Sequence, residues 1–514
     1  MLATDYLERT ARRLPDKAAV KDEVREMTYG ELWREAQAVG RCLAAAGLGP
    51  EPVAVWLGRE GRHIAATQGI ALSGRPYAPL DIALPEKRLL RMLEVLRPEA
   101  VISDLAHREG AERLLAAYGA GGKKVPRLFL YEDMLAEGLT DEAAEALKAA
   151  AAARLPDDPL CILFTSGSTG TPKGVAVSHE LICRQIEAGR DIFGLDESQV
   201  RAGQVPLHFT MAAYDDVYSV LAAGGRLLLL PAGAILSPRE LMCRLRREGV
   251  NTVFWVPSMM RLLLLGGALE LPKEELPELR FIAFAGERMP LGTLRPWREK
   301  FPEARFFNRY GTTEVGMAAA CPLPDSLEGV DMLPMGRAVS GQAALLLDKE
   351  GREVTSPGVT GEIYWRGTLG LGYWREPELT AAAFIQNPLQ SAYREIVYRS
   401  GDLARLETDG SLTYLSRRDH QVKHMGYRIE LGEIEAAAAE LPGLMAACLY
   451  REETDELVLF YAGEMSPREI MQGLSELLPR YMWPARLEKL ADFPCTPSGK
   501  IDRQALKKRL AEPK

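Results

Sequence analysis

Eleven residues, Phe164-Thr165-Ser166-Gly167-Ser168-Thr169-Gly170-Thr171-Pro172-Lys173-Gly174, hold three glycines, three threonines, two serines and one lysine. A loop with so little side-chain bulk lets backbone N–H groups approach a ligand closely. Its hydroxyls and its lysine then offer donors to an anion such as a phosphate. By composition alone it reads as a flexible surface segment. The apolar runs Leu160–Phe164 and Val175–Val177 on either side read as buried strands and argue for a built site. It is not a Walker loop, which needs Gly-Lys followed by Ser or Thr and then a helix. Here Pro172 precedes the lysine and Gly174 follows it.

Charge and composition exclude several classes. The 514 residues call for two or three domains, and 47% hydrophobic content is ample for a large core. A net charge of −8 without a long basic run gives no support to nucleic-acid binding. The N-terminus is amphipathic and charged, unlike a signal peptide, and no apolar run reaches the ~20 residues of a membrane span. Seven scattered cysteines without a CxxC pair argue against a disulfide framework or a zinc site, and the six histidines form no ligand-spaced cluster. These features describe a soluble, cytoplasmic enzyme.

The elements that must position the loop alternate between helical and strand patterns. A helix opens at Thr28-Tyr29-Gly30-Glu31-Leu32 and runs to Ala46, with Gly47 as its stop. Strands are expected at Val53–Leu57, Val101–Asp104, Arg127–Tyr131 and Arg226–Leu230, and strand-and-loop segments at Thr252–Met259 and Phe281–Gly286. Asp141–Arg154 reads as a helical spacer on propensity, and Ser178–Phe193 as a helix. The alternation predicts an α/β fold, helices covering parallel or mixed sheets.

The loop resembles the phosphate loop of the adenylate-forming superfamily, which includes acyl-CoA synthetases, peptide-synthetase adenylation domains and luciferases. Four further motifs follow in that family's order. Asn308-Arg309-Tyr310-Gly311-Thr312-Thr313-Glu314 matches its Tyr-Gly-x-Thr-Glu motif, and Tyr398-Arg399-Ser400-Gly401-Asp402-Leu403 its ribose motif. Ser416 to Glu435, with Lys423-His424-Met425-Gly426-Tyr427-Arg428-Ile429-Glu430, is similar to its hinge motif. Ser416 and Arg418 depart from the usual glycine and apolar residue there. Pro497-Ser498-Gly499-Lys500-Ile501-Asp502-Arg503 resembles its C-terminal lysine motif. The resemblance implies a large domain of helix-covered mixed sheets over 1–418, a small α+β domain over 419–514, and a hinge at Asp419.

The same resemblance implies a site. ATP would be held by Thr165, Ser166, Gly167, Ser168, Thr169, Gly170, Lys173, Gly286, Glu287, Arg309, Tyr310, Gly311, Thr312, Thr313, Asp402 and Arg417. In this scheme Tyr310 stacks on adenine, Asp402 accepts from the ribose hydroxyls, and Glu314 holds Mg2+. Lys500 stabilises the charge that develops as a carboxylate attacks the α-phosphorus. A rotation about the hinge then removes Lys500 and brings the 423–426 segment, with Lys423, to the site for attack by a thiol. The acid pocket would be lined by His208, Met211, Ala212, Asp215, Trp255, Ala283, Ala285, Arg309, Met317 and Ala318. Met211 stands where activators of α-amino acids carry an aspartate, which puts an ordinary α-amino acid in doubt, and Trp255 is expected to shorten the pocket. Asp215 and Arg309 either meet polar groups of the substrate or pair with each other.

The chain ends fourteen residues after Lys500, so the thiol is expected from a separate carrier protein's phosphopantetheine. The alternative is coenzyme A, in an AMP-forming acyl-CoA ligase acting on a short or aromatic acid.

Overall fold

A computed structural model describes residues 1–136, 141–167, 171–231, 233–418, 421–494 and 501–511. The expected Ser168, Thr169, Gly170, Asp419 and Lys500 lie outside the described residues.

Local signals work as the sequence suggests. Thr28 caps the helix Tyr29–Ala45 in a capping box: its hydroxyl accepts from the Glu31 N–H at 3.2 Å, and the Glu31 carboxylate accepts from the Thr28 N–H at 2.8 Å. This helix lies against Gly61–Leu72, where a Cβ at Gly69 would come within 2.6 Å of the Ala36 carbonyl and Val39. Only glycine permits that approach. The helix Asp141–Ala153 packs its Leu147 on Ala36 and Leu72.

Two large mixed sheets form the body. One holds seven strands, among them Pro159–Thr165, Lys173–Ser178, Tyr77–Pro79 and Val53–Val55. The other holds nine, including the parallel run Val200–Gly203, Thr252–Trp255, Phe281–Phe284 and Arg305–Thr312. Helices buried between and over them supply the expected crossovers. A five-stranded antiparallel sheet follows, built on Thr360–Gly367 and Ile396–Leu406. Beyond it the hairpin Gln421–His424/Tyr427–Glu430 leads into a small α+β domain with the sheet Met445–Arg451, Glu456–Ala462, Arg486–Lys489. The apolar clusters of this small domain draw on residues from Val422 onward, and those of the body on residues up to Tyr414.

Two segments differ from expectation. The strand from Thr252 ends at Trp255, and helix Pro257–Leu265 replaces the expected loop, its proline at the first turn where a missing N–H costs nothing. The segment that carries the expected pocket residues Ala212 and Asp215 runs as a π-helix, Ala212–Tyr218, before the α-helical Ser219–Ala223. The wider turn sends Asp215 to the cavity and keeps Asp216 buried behind it.

Candidate active site

One cavity lies where both large sheets, the five-stranded sheet and the 421–430 hairpin meet. Its polar wall starts at the glycine-rich loop, whose flanking strands pair antiparallel with Thr165 opposite Lys173. Thr165 and Ser166 line the cavity; Gly167 does not. The hydroxyls of Thr165 and Thr312, also on the wall, are buried and have no hydrogen-bond partner among the described residues. Lys173 holds its ammonium 4.8 Å from the centre of the Tyr373 ring. Burial pushes its pKa down, and the charge of Arg428 adds to that.

The strand Arg305–Thr312 supplies the next wall. Tyr310 stacks on Trp365 at 5.6 Å and donates its hydroxyl to Asp402 Oδ2. Arg417 donates to Asp402 Oδ1 at 2.8 Å, so the fully buried carboxylate is held on both oxygens. Lys423 places its ammonium 5.3 Å from the Tyr310 ring and 5.8 Å from Tyr414, and burial depresses its pKa. Thr313 and Thr210 share a hydrogen bond of 2.6 Å between hydroxyls.

Glu314 sits at the junction, with no exposed surface. Tyr373 donates to its Oε1 at 2.9 Å, and Arg428 Nη1 reaches Oε1 and Oε2 at 3.1 and 3.0 Å. Burial alone would raise this carboxyl, but Arg428 and Lys173 more than reverse it and bring the pKa down to about 2. No group of three or more His, Cys, Asp or Glu side chains forms a metal cage among the described residues. A single ionised carboxylate suits a magnesium ion that takes its other ligands from phosphates and water. The orphaned hydroxyls of Thr165 and Thr312 fit the same polar ligand. Arg428 and Tyr373 carried no sequence signal for this position, because their contacts with Glu314 span 114 and 59 residues of chain.

Elsewhere on the cavity wall, Arg309 Nη2 donates to Asp215 Oδ1 at 2.6 Å, and Arg309 Nε lies 3.2 Å from Met317 Sδ. The Arg309 guanidinium packs on Phe254 at 4.8 Å, with Arg201 on the same ring at 3.9 Å. Behind them Asp216 has no hydrogen-bond partner among the described residues, its nearest cation being Arg201 at 3.9 Å. Burial pushes its pKa up to about 7. Of the expected pocket residues, His208, Met211, Asp215, Ala285, Arg309 and Met317 line the cavity.

Trp255 does not. Strand alternation turns Phe254 toward Arg309 and sends Trp255 the other way, where its indole donates to the Ala202 carbonyl at 3.3 Å and meets Trp297 edge-on. The expectation that Trp255 shortens the pocket is therefore corrected. Ala212, Ala283 and Ala318 are likewise buried in packing and do not line the cavity. Gly286 lines it, but Glu287 faces elsewhere, accepting from the Ser258 N–H at 2.8 Å and from the Gly426 N–H. A Cβ on Gly426 would approach Val256 within 2.6 Å, so this turn needs glycine.

The hairpin is docked firmly. Ser166 donates to the Arg428 carbonyl at 2.6 Å and Phe209 meets Tyr427 edge-on, while Tyr427 stacks face to face on Tyr481 of its own small domain at 3.5 Å. Arg88 pairs with Glu433 in a buried ion pair, and Arg91 with Glu440 nearer solvent.

The family described as AMP-binding enzyme matches residues 7–374. The chain belongs to this family. This AMP-binding enzyme is 32% identical to Delta-poly-L-ornithine synthetase of Acinetobacter baumannii, over 98% of its own length and 36% of that protein. It is 31% identical to an L-proline--[L-prolyl-carrier protein] ligase of Streptomyces coelicolor, over 93% of its own length and 91% of that protein. It thus spans about a third of one relative and nine-tenths of the other. Among solved structures, the Vibrio cholerae adenylation domain AlmE in complex with glycyl-adenosine-5'-phosphate superposes with a TM-score of 0.83 at 22% identity, covering 99% of this chain and 97% of that one. That likeness shows a shared fold: a large domain of mixed sheets and a small α+β domain, as the sequence leads one to expect. No helix among the described residues of this AMP-binding enzyme is long and apolar enough to cross a membrane.

Proposed function

We propose that this enzyme joins a small carboxylic acid to AMP at the expense of ATP and passes the acyl group to the phosphopantetheine thiol of a separate carrier protein. The observation that carries the reading is the convergence on one cavity of Thr165 and Ser166, of Tyr310 and Arg417, which hold Asp402 behind the wall, and of the hairpin residues Lys423 and Arg428, the latter paired with the buried Glu314. The relative that names a carrier protein supports the acceptor.

A carboxylate is a poor acyl donor because oxide would have to leave. In the first step its oxygen attacks the α-phosphorus of ATP, a P–O bond forms, and pyrophosphate departs with the bond's electrons. The glycine-rich loop and Lys173 hold the β- and γ-phosphates, Asp402 and Arg417 the ribose, and Thr313 the α-phosphate. Glu314 would hold Mg2+, which would supply charge neutralisation on the phosphate oxygens. Lys500 stabilises the developing charge on the attacking and phosphoryl oxygens. In the second step the thiolate attacks the acyl carbon and AMP leaves.

The domains divide at 1–418 and 419–514, with Asp419 as the hinge. The separate apolar clusters on either side support that boundary. The docked hairpin, with Lys423 on the cavity wall, is the arrangement for transfer, and rotation about the hinge alternates it with the arrangement for adenylation. A cytoplasmic location follows from dependence on ATP and a carrier.

Carboxylate-dependent exchange of pyrophosphate into ATP tests the first step, run over amino, β-amino, aryl and short-chain acids. Mass spectrometry of a phosphopantetheinylated carrier tests the second. Acyl-CoA formation without carrier loading would make the enzyme a CoA ligase instead.

A further inference from the structure

Glu314 is fully buried, and a buried carboxylate without a cation is costly. Here the cation is Arg428, whose single Nη1 spans both carboxylate oxygens at 3.0 and 3.1 Å. Arg428 is not a fixed part of the wall. It rides on the hairpin, where Gln421 accepts from its Nε, and it reaches Glu314 only while the hairpin is docked. Its carbonyl is gripped at the same time by Ser166 of the glycine-rich loop. One residue thus ties the hairpin to the two segments that would hold phosphates and metal.

We propose that Arg428 is a positioning residue that takes the place of the metal on Glu314, so that the hairpin can dock only after the metal has left with pyrophosphate. A guanidinium nitrogen that spans both carboxylate oxygens leaves no room for a divalent cation on the same two oxygens, and the two positive charges would repel each other. While metal and nucleotide occupy the site, Arg428 is excluded and the hairpin stays out. When they leave, the carboxylate, then without a cation in contact, draws Arg428 in, and the 423–426 segment arrives with it. The order of the two steps is then enforced by one carboxylate with two exclusive partners. The inference rests on the reading of Glu314 as the metal-holding residue.

The test measures the affinity of the full-length enzyme for Mn2+·α,β-methylene ATP, read from the Mn2+ paramagnetic resonance signal. If Arg428 competes with the metal, Arg428→Gln tightens this affinity by about tenfold, as expected when the hairpin-free state rises from a ~10% minority to dominance. Arg428→Lys, which keeps the charge, stays near the wild type, and Glu314→Gln weakens binding. A merely structural arginine would leave metal affinity unchanged or lower it on removal. That result, with Glu314→Gln still weakening binding, overturns the role of Arg428 alone. Unchanged binding in Glu314→Gln overturns the metal assignment beneath it. Should Arg428→Gln fail to fold, hydrogen exchange of the 421–430 amides in the wild type decides. Protection with AMP and its loss with Mn2+·α,β-methylene ATP support the proposal; equal protection with both ligands overturns it.

Discussion

Asp215 and Arg309 face each other at 2.6 Å on the wall of the cavity, the aspartate on a π-helix and the arginine on the strand that leads to Glu314. The pair is one of the two arrangements the sequence leaves open, the other being contact of either residue with a polar group of the substrate. Both still line the cavity, so a polar acid would have to displace or share an existing ion pair.

The pair itself yields the first prediction. Arg309 and Asp215 have side chains only 5% and 15% exposed. Either Asp215→Asn or Arg309→Met should therefore strand a buried charge and cost about 3–5 kcal/mol in stability, with activity lowered for every acid. The double variant should recover much of that loss. Melting temperature and acid selectivity, measured together, check this. A selective rise in KM for amino-bearing acids, at unchanged melting temperature in Asp215→Asn, would show that the aspartate serves the substrate instead.

Lys500 gives the second. If it stabilises charge only in the first step, Lys500→Ala should slow pyrophosphate exchange by ~10²–10³-fold. Transfer from a pre-formed acyl-adenylate, in which the hairpin supplies the wall, should change far less. Rapid-quench measurement of the two half-reactions separates these effects, and equal losses in both would remove Lys500 from its role.

Trp255 offers a third. Since it packs on Trp297 and Ala202 and not on the cavity, Trp255→Ala should destabilise the enzyme by about 3–5 kcal/mol. It should leave the preference among acids of different chain length unaltered. Denaturant unfolding and the exchange assay over a homologous series of acids test the two halves. A pocket that newly accepts longer acids would contradict the orientation of the indole.

The fourth concerns pH. Asp216 is faced by Arg201, Asp215, Arg59 and Arg309, and burial raises its pKa from the ordinary 3.8 to about 7. The unfolded chain gives up this proton near pH 4 while the folded chain keeps it to about 7, so the folded state binds more protons in between. Stability contributed by this group is therefore greatest in acid and declines as pH rises from about 4 to 7, then levels off. Asp216→Asn should flatten that part of the profile. Chemical denaturation of wild type and variant at pH 5, 6, 7 and 8 reads the difference directly, and parallel profiles would exclude Asp216 as the source.

The sequence by itself determined much of this protein. The capping box at Thr28 and Glu31, the apolar runs on either side of the glycine-rich loop, and the order of its motifs settle the class of fold and most of the cavity wall. These features are legible because they are local: a cap, a strand or a loop is written in neighbouring residues. Tertiary structure decided the rest. Whether Trp255 or Phe254 packs beneath Arg309 on the cavity wall turns on a strand's registration against its sheet, and one residue of offset reverses the answer. That Asp215 reaches Arg309 at the cavity depends on a π-helical turn that composition does not announce. That Arg428 closes on Glu314 could not be read at all, since the contact joins residues 114 apart in the chain, and no local pattern encodes it.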